Sequence, residues 1–290
     1  RAGMKLKLLD YKDLPDIPAG SNLEFYNDHV YLVDDDASDM VIMNKKWQVE
    51  STNKLLLNGD ANPVPKYKSD FEATTIVDIN SIPRLLVLGF DAKDNKHKAV
   101  LVNLDNLTKE EFDITEFYNR LKAQVGVINI ESAAVVLGKL VLCNRDHKRA
   151  PENHIIVTDM DFWKHQDMAE ITTISFDLPE TTKEVVGLSG LTYSYKNDWL
   201  VATLLTENGN GTGAAGDSYL AVIENASRKV VRKKMKVNAL FHLTETDKSF
   251  AGYNIQSVGI RTEKSQRLKL QLLADNNAGV NAVFTVRLKN

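Results

Sequence analysis

One pattern recurs five times along this chain, and it constrains the fold more than any other feature. Each copy opens with a short strand-like phrase that carries a small or polar residue at its middle. The five are Ser21-Asn22-Leu23-Glu24-Phe25, Asp70-Phe71-Glu72-Ala73-Thr74, Asn129-Ile130-Glu131-Ser132-Ala133, Gly187-Leu188-Ser189-Gly190-Leu191 and Asn254-Ile255-Gln256-Ser257-Val258. Their starts lie 49, 59, 58 and 67 residues apart. A second, apolar and β-rich phrase follows each: 29–33, 84–88, 139–142, 199–204 and 268–273. Third phrases follow at 40–43, 99–102, 154–157, 219–223 and 282–286, and fourth strands at 54–57, 111–114, 171–176 and 230–237.

Short β-rich segments separated by Asn, Asp and Gly loops, without regular helices between them, indicate antiparallel all-β units. Four strands per unit at a period near 50–60 residues predict propeller blades. The fifth unit has three strands before Asn290, and Met4 to Tyr11 is a spare alternating strand that can supply its fourth. The expectation is a five-bladed β-propeller forming a single domain over residues 1–290, closed by its N-terminal strand. Six blades are the alternative, if the long fourth unit hides a further strand pair. One short helix is predicted over Thr115–Gln124, outside the ring, with a capping box at Thr108-Lys-Glu-Glu111. Arg228 to Lys236, with six basic residues in nine, reads as a solvated edge strand that lysines protect from pairing.

Composition narrows the class. At 290 residues a compact fold buries about 75% of the surface its unfolded chain exposes, so no disulfide or metal is needed for a core. The 36 basic and 39 acidic side chains argue against a dedicated nucleic-acid binder. The single cysteine, Cys143, permits no internal disulfide and reads as a buried, inert thiol. Apolar runs are too short to span a bilayer, so no membrane partner is expected. Met4 reads as the natural start, which would make the three residues before it a remnant, and no apolar leader follows. A cytoplasmic location follows on that reading. A periplasmic or secreted chain with its leader removed is the alternative.

The blades lack the Trp-Asp dipeptide of WD40 repeats and the paired glycines of kelch. The phrases Asn129-Ile-Glu-Ser-Ala-Ala134, Leu142-Cys-Asn-Arg145 and Val186-Gly-Leu-Ser-Gly-Leu191 resemble an uncharacterised bacterial family of propeller proteins, distantly similar to the esterase-like phytase propellers. The resemblance implies the fold. It supplies no catalytic residues to carry over.

The innermost strand of each propeller blade lines the channel, so Glu24, Glu72, Glu131, Ser189 and Gln256 are expected to face the axis. Converging carboxylates need a cation or a proton in compensation. Glu24, Glu72 and Glu131 are therefore candidates for acid–base work or for a cation, with Ca²⁺ favoured by hard oxygen ligands. The alternative is a water-filled channel in which each group bonds neighbouring blades. The loops after the second strands form another constellation: Asp34-Asp35-Asp36, Asp91, Asn144-Arg145-Asp146, Glu207-Asn208 and Asp275-Asn276-Asn277. Arg145 is its one clear cation and is suited to grip a carboxylate or phosphate. Ordinary turn chemistry accounts for such Asp and Asn residues equally well.

Other motifs fail on context. Gly211-Thr-Gly-Ala-Ala-Gly216 matches G-x-G-x-x-G but lies within a hairpin, where no helix receives a pyrophosphate. It reads as a flexible loop with the length and composition of a lid. Gly187 to Leu191 is no nucleophile elbow, and the scattered histidines lack zinc-ligand spacing. The expected function is binding of a small polar molecule or cation at the channel mouth, through Asp35, Asp91, Asn144, Arg145, Ser189, Gln256 and Asp275. A phosphoesterase or glycosidase using the channel carboxylates is the alternative, and a protein-interaction scaffold a third.

Overall fold

The computed structural model describes residues 3–17, 21–34, 39–55, 70–91, 94–145, 153–179, 186–206 and 217–290. Five antiparallel sheets are arranged as a ring, a five-bladed β-propeller. Blade I comprises β2 to β5: Ser21–Tyr26, His29–Asp34, Asp39–Met43 and Val49–Lys54. Blade II comprises β6 to β9: Asp70–Ile79, Ile82–Asp91, Lys96–Asn103 and Lys109–Asp113. Blade III comprises β10 to β13: Ile130–Val136, Lys139–Arg145, Asn153–Asp159 and Thr172–Asp177. Blade IV takes β14 (Val186–Ser194), β15 (Trp199–Thr206), β16 (Ser218–Ile223) and, past β17 (Met235–Lys236), β18 (Ala239–His242). Blade V joins β19 (Asn254–Lys264), β20 (Arg267–Asp275) and β21 (Asn281–Lys289) to β1 (Lys5–Leu14).

The closure expected from the spare strand is present. β1 pairs antiparallel with β21 from Lys5↔Lys289 to Leu14↔Asn281. Leu6 and Leu8 pack beneath the sheet, and the Tyr11 ring stacks on Phe284 at 5.3 Å. Among the described residues the buried apolar side chains fall into five clusters, one in each seam between adjacent blades. Such a ring has no central core. Its stability is distributed around the circle, because each sheet buries both faces against its neighbours. No helix among the described residues is long and apolar enough to cross a membrane.

Four expectations are corrected in detail. The fourth strand of blade I is Val49–Lys54, five residues earlier than the 54–57 segment. It is polar and exposed, so no apolar phrase marks it. Residues 230–237 are not the outer strand of blade IV. Ala226–Arg232 forms a helix, α2, that buries Ala226 and Val230 one turn apart, and its basic residues occupy the solvent face. Met235–Lys236 then pairs in parallel with β13 of blade III, and β18 provides the outer strand.

The helix α1 (Thr115–Val125) forms as expected but does not stand outside the ring. Phe117, Tyr118 and Leu121 are buried in the blade II–III seam with Ala73 and Ala133 of the inner strands. Its start is not a capping box either, because residues 109–111 belong to β9. Gln166 of blade III accepts from the Phe117 amide (3.1 Å) and donates to the Asp113 carbonyl (2.8 Å). The helix start is thus capped from two sides, locally by Asp113, which accepts from the Thr115 amide at 2.9 Å, and by Gln166 from blade III.

Candidate functional site at the channel mouth

The loops that follow the second strands, α1, and the first residues of the inner strands share one end of the ring, the mouth. Four of the five inner strands carry a β-bulge near this end. The register shifts between Phe71 and Ala73, Ile130 and Ser132, Leu188 and Gly190, and Ile255 and Ser257. The bulged residues are Glu72, Glu131, Ser189 and Gln256, the middle residues of four recurring phrases. A bulge kinks its strand and re-aims the extra side chain. The strand β2 pairs with β3 without a shift. Glu24 consequently lies level with Thr74, whose hydroxyl donates to its Oε1 at 3.1 Å, two residues beyond Glu72. The fivefold equivalence read from the sequence thus holds for four blades and slips in the first.

Each bulged side chain has its own anchor. Glu131 Oε1 lies 3.3 Å from an Arg145 guanidinium nitrogen, and their side chains are 26% and 15% exposed. The aliphatic stem of Arg145 crosses Gly187 at the entrance to blade IV, where any Cβ would overlap its Cδ. Glycine is thus required there to let the guanidinium span two blades. Asn153 secures the same junction, donating to the Val186 carbonyl at 2.7 Å and accepting from the Leu188 amide at 3.0 Å. Glu72 accepts from the Tyr118 hydroxyl at 3.1 Å. Gln256 donates to Asp275 at 2.8 Å, and Asp275 also accepts from the Asn277 amide at 3.0 Å.

Ser189 is placed differently from the expectation. Its hydroxyl is buried in the blade IV–V seam, 2.9 Å from Thr203 Oγ1 and 2.9 Å from the Ile255 carbonyl. No histidine touches it. Thr203 is the second-strand partner of Gly190, and the Ser189 hydroxyl lies between it and the first residues of β19. Asn144 is likewise fully buried, accepting from the Asn129 amide at 2.6 Å and donating to the Val127 carbonyl at 3.1 Å. It shapes the loop entering blade III. Asp91 is held by Lys98 at 2.8 Å, and Lys98 also meets Asp94 and Glu111. Burial pushes the Lys98 ammonium down, but the three carboxylates outweigh it and hold it above its ordinary value. Asp35, Asp36, Asp146, Glu207, Asn208 and Gly211–Gly216 lie outside the described residues.

Burial displaces the titrations of Glu24 and Cys143 upward. The Glu24 carboxyl is pushed up to about 8, because desolvation outweighs the Thr74 hydrogen bond. The Cys143 thiol is pushed up to about 12 by burial and then by the Glu131 charge, which leaves it inert as expected. Among the described residues no group of three or more His, Cys, Asp or Glu side chains is arranged to hold a metal ion. The three carboxylates do not converge on one point: each is tied to a different partner.

Tyr118, Thr74 and His97 join this site without having been singled out in the sequence. His97 stacks on Tyr118 with centroids 3.8 Å apart and planes at 12°, and burial, reinforced by Lys122, pushes its imidazole down to about 4. Only the helical periodicity around Phe117 hinted at this cluster.

A family of unknown function, DUF6929, matches residues 16–288. The chain belongs to this family. No curated protein matches this DUF6929 member. Among solved structures it is similar to a tail fibre of Staphylococcus aureus phage P68, with 10% identity and a TM-score of 0.54 over 99% of this chain. The chain spans about half of that protein, 53% of its length. It is also similar to a DUF4221-family member from Bacteroides vulgatus, with 10% identity, a TM-score of 0.45 and 99% of both chains covered. The phage phi92 endosialidase aligns at 8% identity and a TM-score of 0.47, over 93% of this chain and 52% of that one. At these identities the likeness concerns the fold alone.

Proposed function

We propose that this chain binds a small polar molecule or cation at the channel mouth, through Glu72, Glu131, Arg145, Gln256 and Asp275. The observation that supports this reading is the shared level of the bulges. Three of them present half-buried polar side chains, each held in one orientation by a partner. Preorganised polar groups at the rim of a channel lose little entropy when a ligand arrives, which favours selective binding. Glu131 and Arg145 together offer an acceptor and a cation, suiting a ligand with both hydroxyl or ammonium donors and an anionic group.

Thermal melts with panels of sugars, organic acids, Ca²⁺ and Mg²⁺ test the proposal. A ligand at about 100 times its Kd adds ~2.7 kcal/mol of stability. That rise should shrink by at least half in Glu131→Gln and in Arg145→Gln. A ligand whose shift is the same in both variants would place binding elsewhere.

A hydrolase is the second reading, favoured by the raised Glu24 carboxyl, which is protonated at neutral pH and suited to general-acid work. Turnover of a nitrophenyl phosphate or glycoside that Glu24→Gln abolishes would support it. Turnover undiminished in that variant would remove Glu24 from the chemistry.

A further inference from the structure

The opposite end of blade V carries an unusual charge arrangement. Lys5, Lys289, Arg267 and Lys264 lie side by side across β1, β21, β20 and β19, each directly opposite the next. Two residues further along the strands, Lys7, Arg287, Lys269 and Thr262 form a second row in the same register. Directly opposed residues of an antiparallel ladder share a face, and so do residues two apart. Seven cations and one hydroxyl therefore share one face of the sheet. Adjacent strands lie about 4.8 Å apart and successive rows about 7 Å apart.

Like charges directly opposite one another destabilise a sheet. This face holds five such contacts: Lys5–Lys289, Lys289–Arg267, Arg267–Lys264, Lys7–Arg287 and Arg287–Lys269. Among the described residues no ion pair compensates any of the seven. Two acidic residues occur on these stretches of strand. Glu263 points to the other face and accepts from Ser194 at 2.8 Å; Asp10, opposite Thr285 beyond the β1 bulge, sits at the upper border of the cationic face and forms no ion pair with it among the described residues. The whole chain is slightly acidic, so the segregation is not a by-product of composition. Protection of an exposed edge explains Lys5 and Lys7 on the outermost strand. It does not explain Arg267, Lys269, Arg287 and Lys289, which belong to the two central strands of the sheet.

The same face is concave. A groove of about 260 Å³ is lined by Leu9, Leu268 and Thr262 with Lys264, Arg267, Lys269 and Arg287. Further up the same side Leu273 and Val283 pack against blade I, whereas the groove is lined by blade V alone. Its frame is fixed. The β19–β20 turn is held by Asn197, which accepts from the Gln266 amide at 2.7 Å, and by Asn290, whose amide donates to the Gln266 carbonyl at 3.0 Å.

We propose that this groove binds an oligophosphate anion, a soluble chain of three or more linked phosphate groups. Two arginines supply planar forks for phosphate oxygens, the lysines supply point charges, and Thr262 supplies a neutral donor. An anion of three or more charges compensates several opposed cation pairs at once, which a monovalent ion cannot do. The site lies at the far end of the ring from the mouth and shares no residue with the site proposed there.

Calorimetric titration of the full chain with inorganic tripolyphosphate tests this. Binding is expected at 0.15 M salt and should weaken steeply on raising the salt. Lys269→Gln with Arg287→Gln should weaken it by at least about tenfold, with the unliganded melting temperature unchanged or raised as repulsion is relieved. Arg145→Gln at the mouth should leave it unaltered, so loss of either site is read independently of the other. Failure to bind at millimolar tripolyphosphate overturns the proposal, as does binding indifferent to the double substitution. Equal affinity for citrate or sulfate overturns the assignment to phosphate chains. Tighter binding of a single-stranded oligonucleotide than of tripolyphosphate overturns it in favour of a nucleic acid.

Discussion

The Tyr118 hydroxyl donates to Glu72 Oε2 at 3.1 Å, joining helix α1 to a bulge on an innermost strand. Tyr118 is 1% exposed, and burial, reinforced by the Glu72 charge, raises its phenol well above the ordinary value. It is a fixed donor at any physiological pH. Tyr118→Phe keeps the ring and its stack on His97 but removes that donor, and should cost about 1–2 kcal/mol in urea unfolding. A ligand that touches Glu72 should lose affinity in the same variant, because the carboxylate is no longer held in one orientation.

The stacked partner, His97, gives an acid-side signature. Its imidazole titrates near 4 in the folded chain against about 6.5 unfolded. The unfolded chain therefore binds the proton first. The stability contributed by the neutral ring is complete above pH 6.5 and is lost as pH falls toward 4. His97→Phe preserves the aromatic contact, so its melting temperature should decline less than the parent's between pH 6.5 and 4.5. Parallel slopes for the two proteins would show that His97 is solvated.

Glu24 gives the opposite sign. Its carboxyl titrates near 8 when folded and near 4.5 when unfolded, so the folded chain holds the proton longer. Stability from this group is complete below pH 4.5 and falls as pH rises through 8. Glu24→Gln mimics the protonated acid and removes that loss. Its melting temperature should match the parent's near pH 5 and exceed it above pH 8 by about 2–6 °C.

Two glycines should report the seams. At Gly187 a Cβ would drive Arg145 off its path to Glu131, and at Gly259 it would overlap Leu23 and Phe25 of blade I. Gly259→Ala strikes buried side chains in the closing seam and should cost about 2–3 kcal/mol by overpacking. Gly187→Ala meets a flexible side chain and should cost less than half of that. Its larger effect should be on mouth ligands, read as a lost thermal shift.

Removal of residues 1–14 should lower the melting temperature by more than ~10 °C, since it strips Leu6 and Leu8 from a seam and leaves β21 as a bare edge. If that protein is insoluble, Leu6→Ala with Leu8→Ala tests the same closure by equilibrium unfolding. A parent-like melt in the double variant would mean that β1 is dispensable.

Ring, blade number and closing strand were all legible, because blades are local units whose period survives in the spacing of 21, 70, 129, 187 and 254. Elements that owe their form to partners distant in sequence were not. Val49–Lys54 is a strand only because β4 pairs with it. Residues 226–236 become a helix and a strand shared with blade III, although β-rich composition suggested an edge. The site was half readable. Repeats pointed to Glu72, Glu131 and Gln256, but one missing bulge displaced Glu24, and the Ser189 hydroxyl is buried against Thr203 and the Ile255 carbonyl. A single-residue register change of this kind leaves no trace in composition or spacing. The cationic face of blade V was invisible for a related reason, since its members come from both ends of the chain and meet only through pairing.

The β1–β21 ladder joins segments separated by nearly the whole length of the chain. During synthesis β1 emerges first yet has no partner until the final strand is complete, so four blades can assemble while the ring is still an open arc. Loop closure over this span is entropically the most demanding step of assembly. Completion of the circle is therefore a late event, and its reversal parts one sheet internally instead of separating two blades. A ring that opens at this ladder opens within blade V, beside the rows of opposed cations, where a bound anion would bridge the two strands.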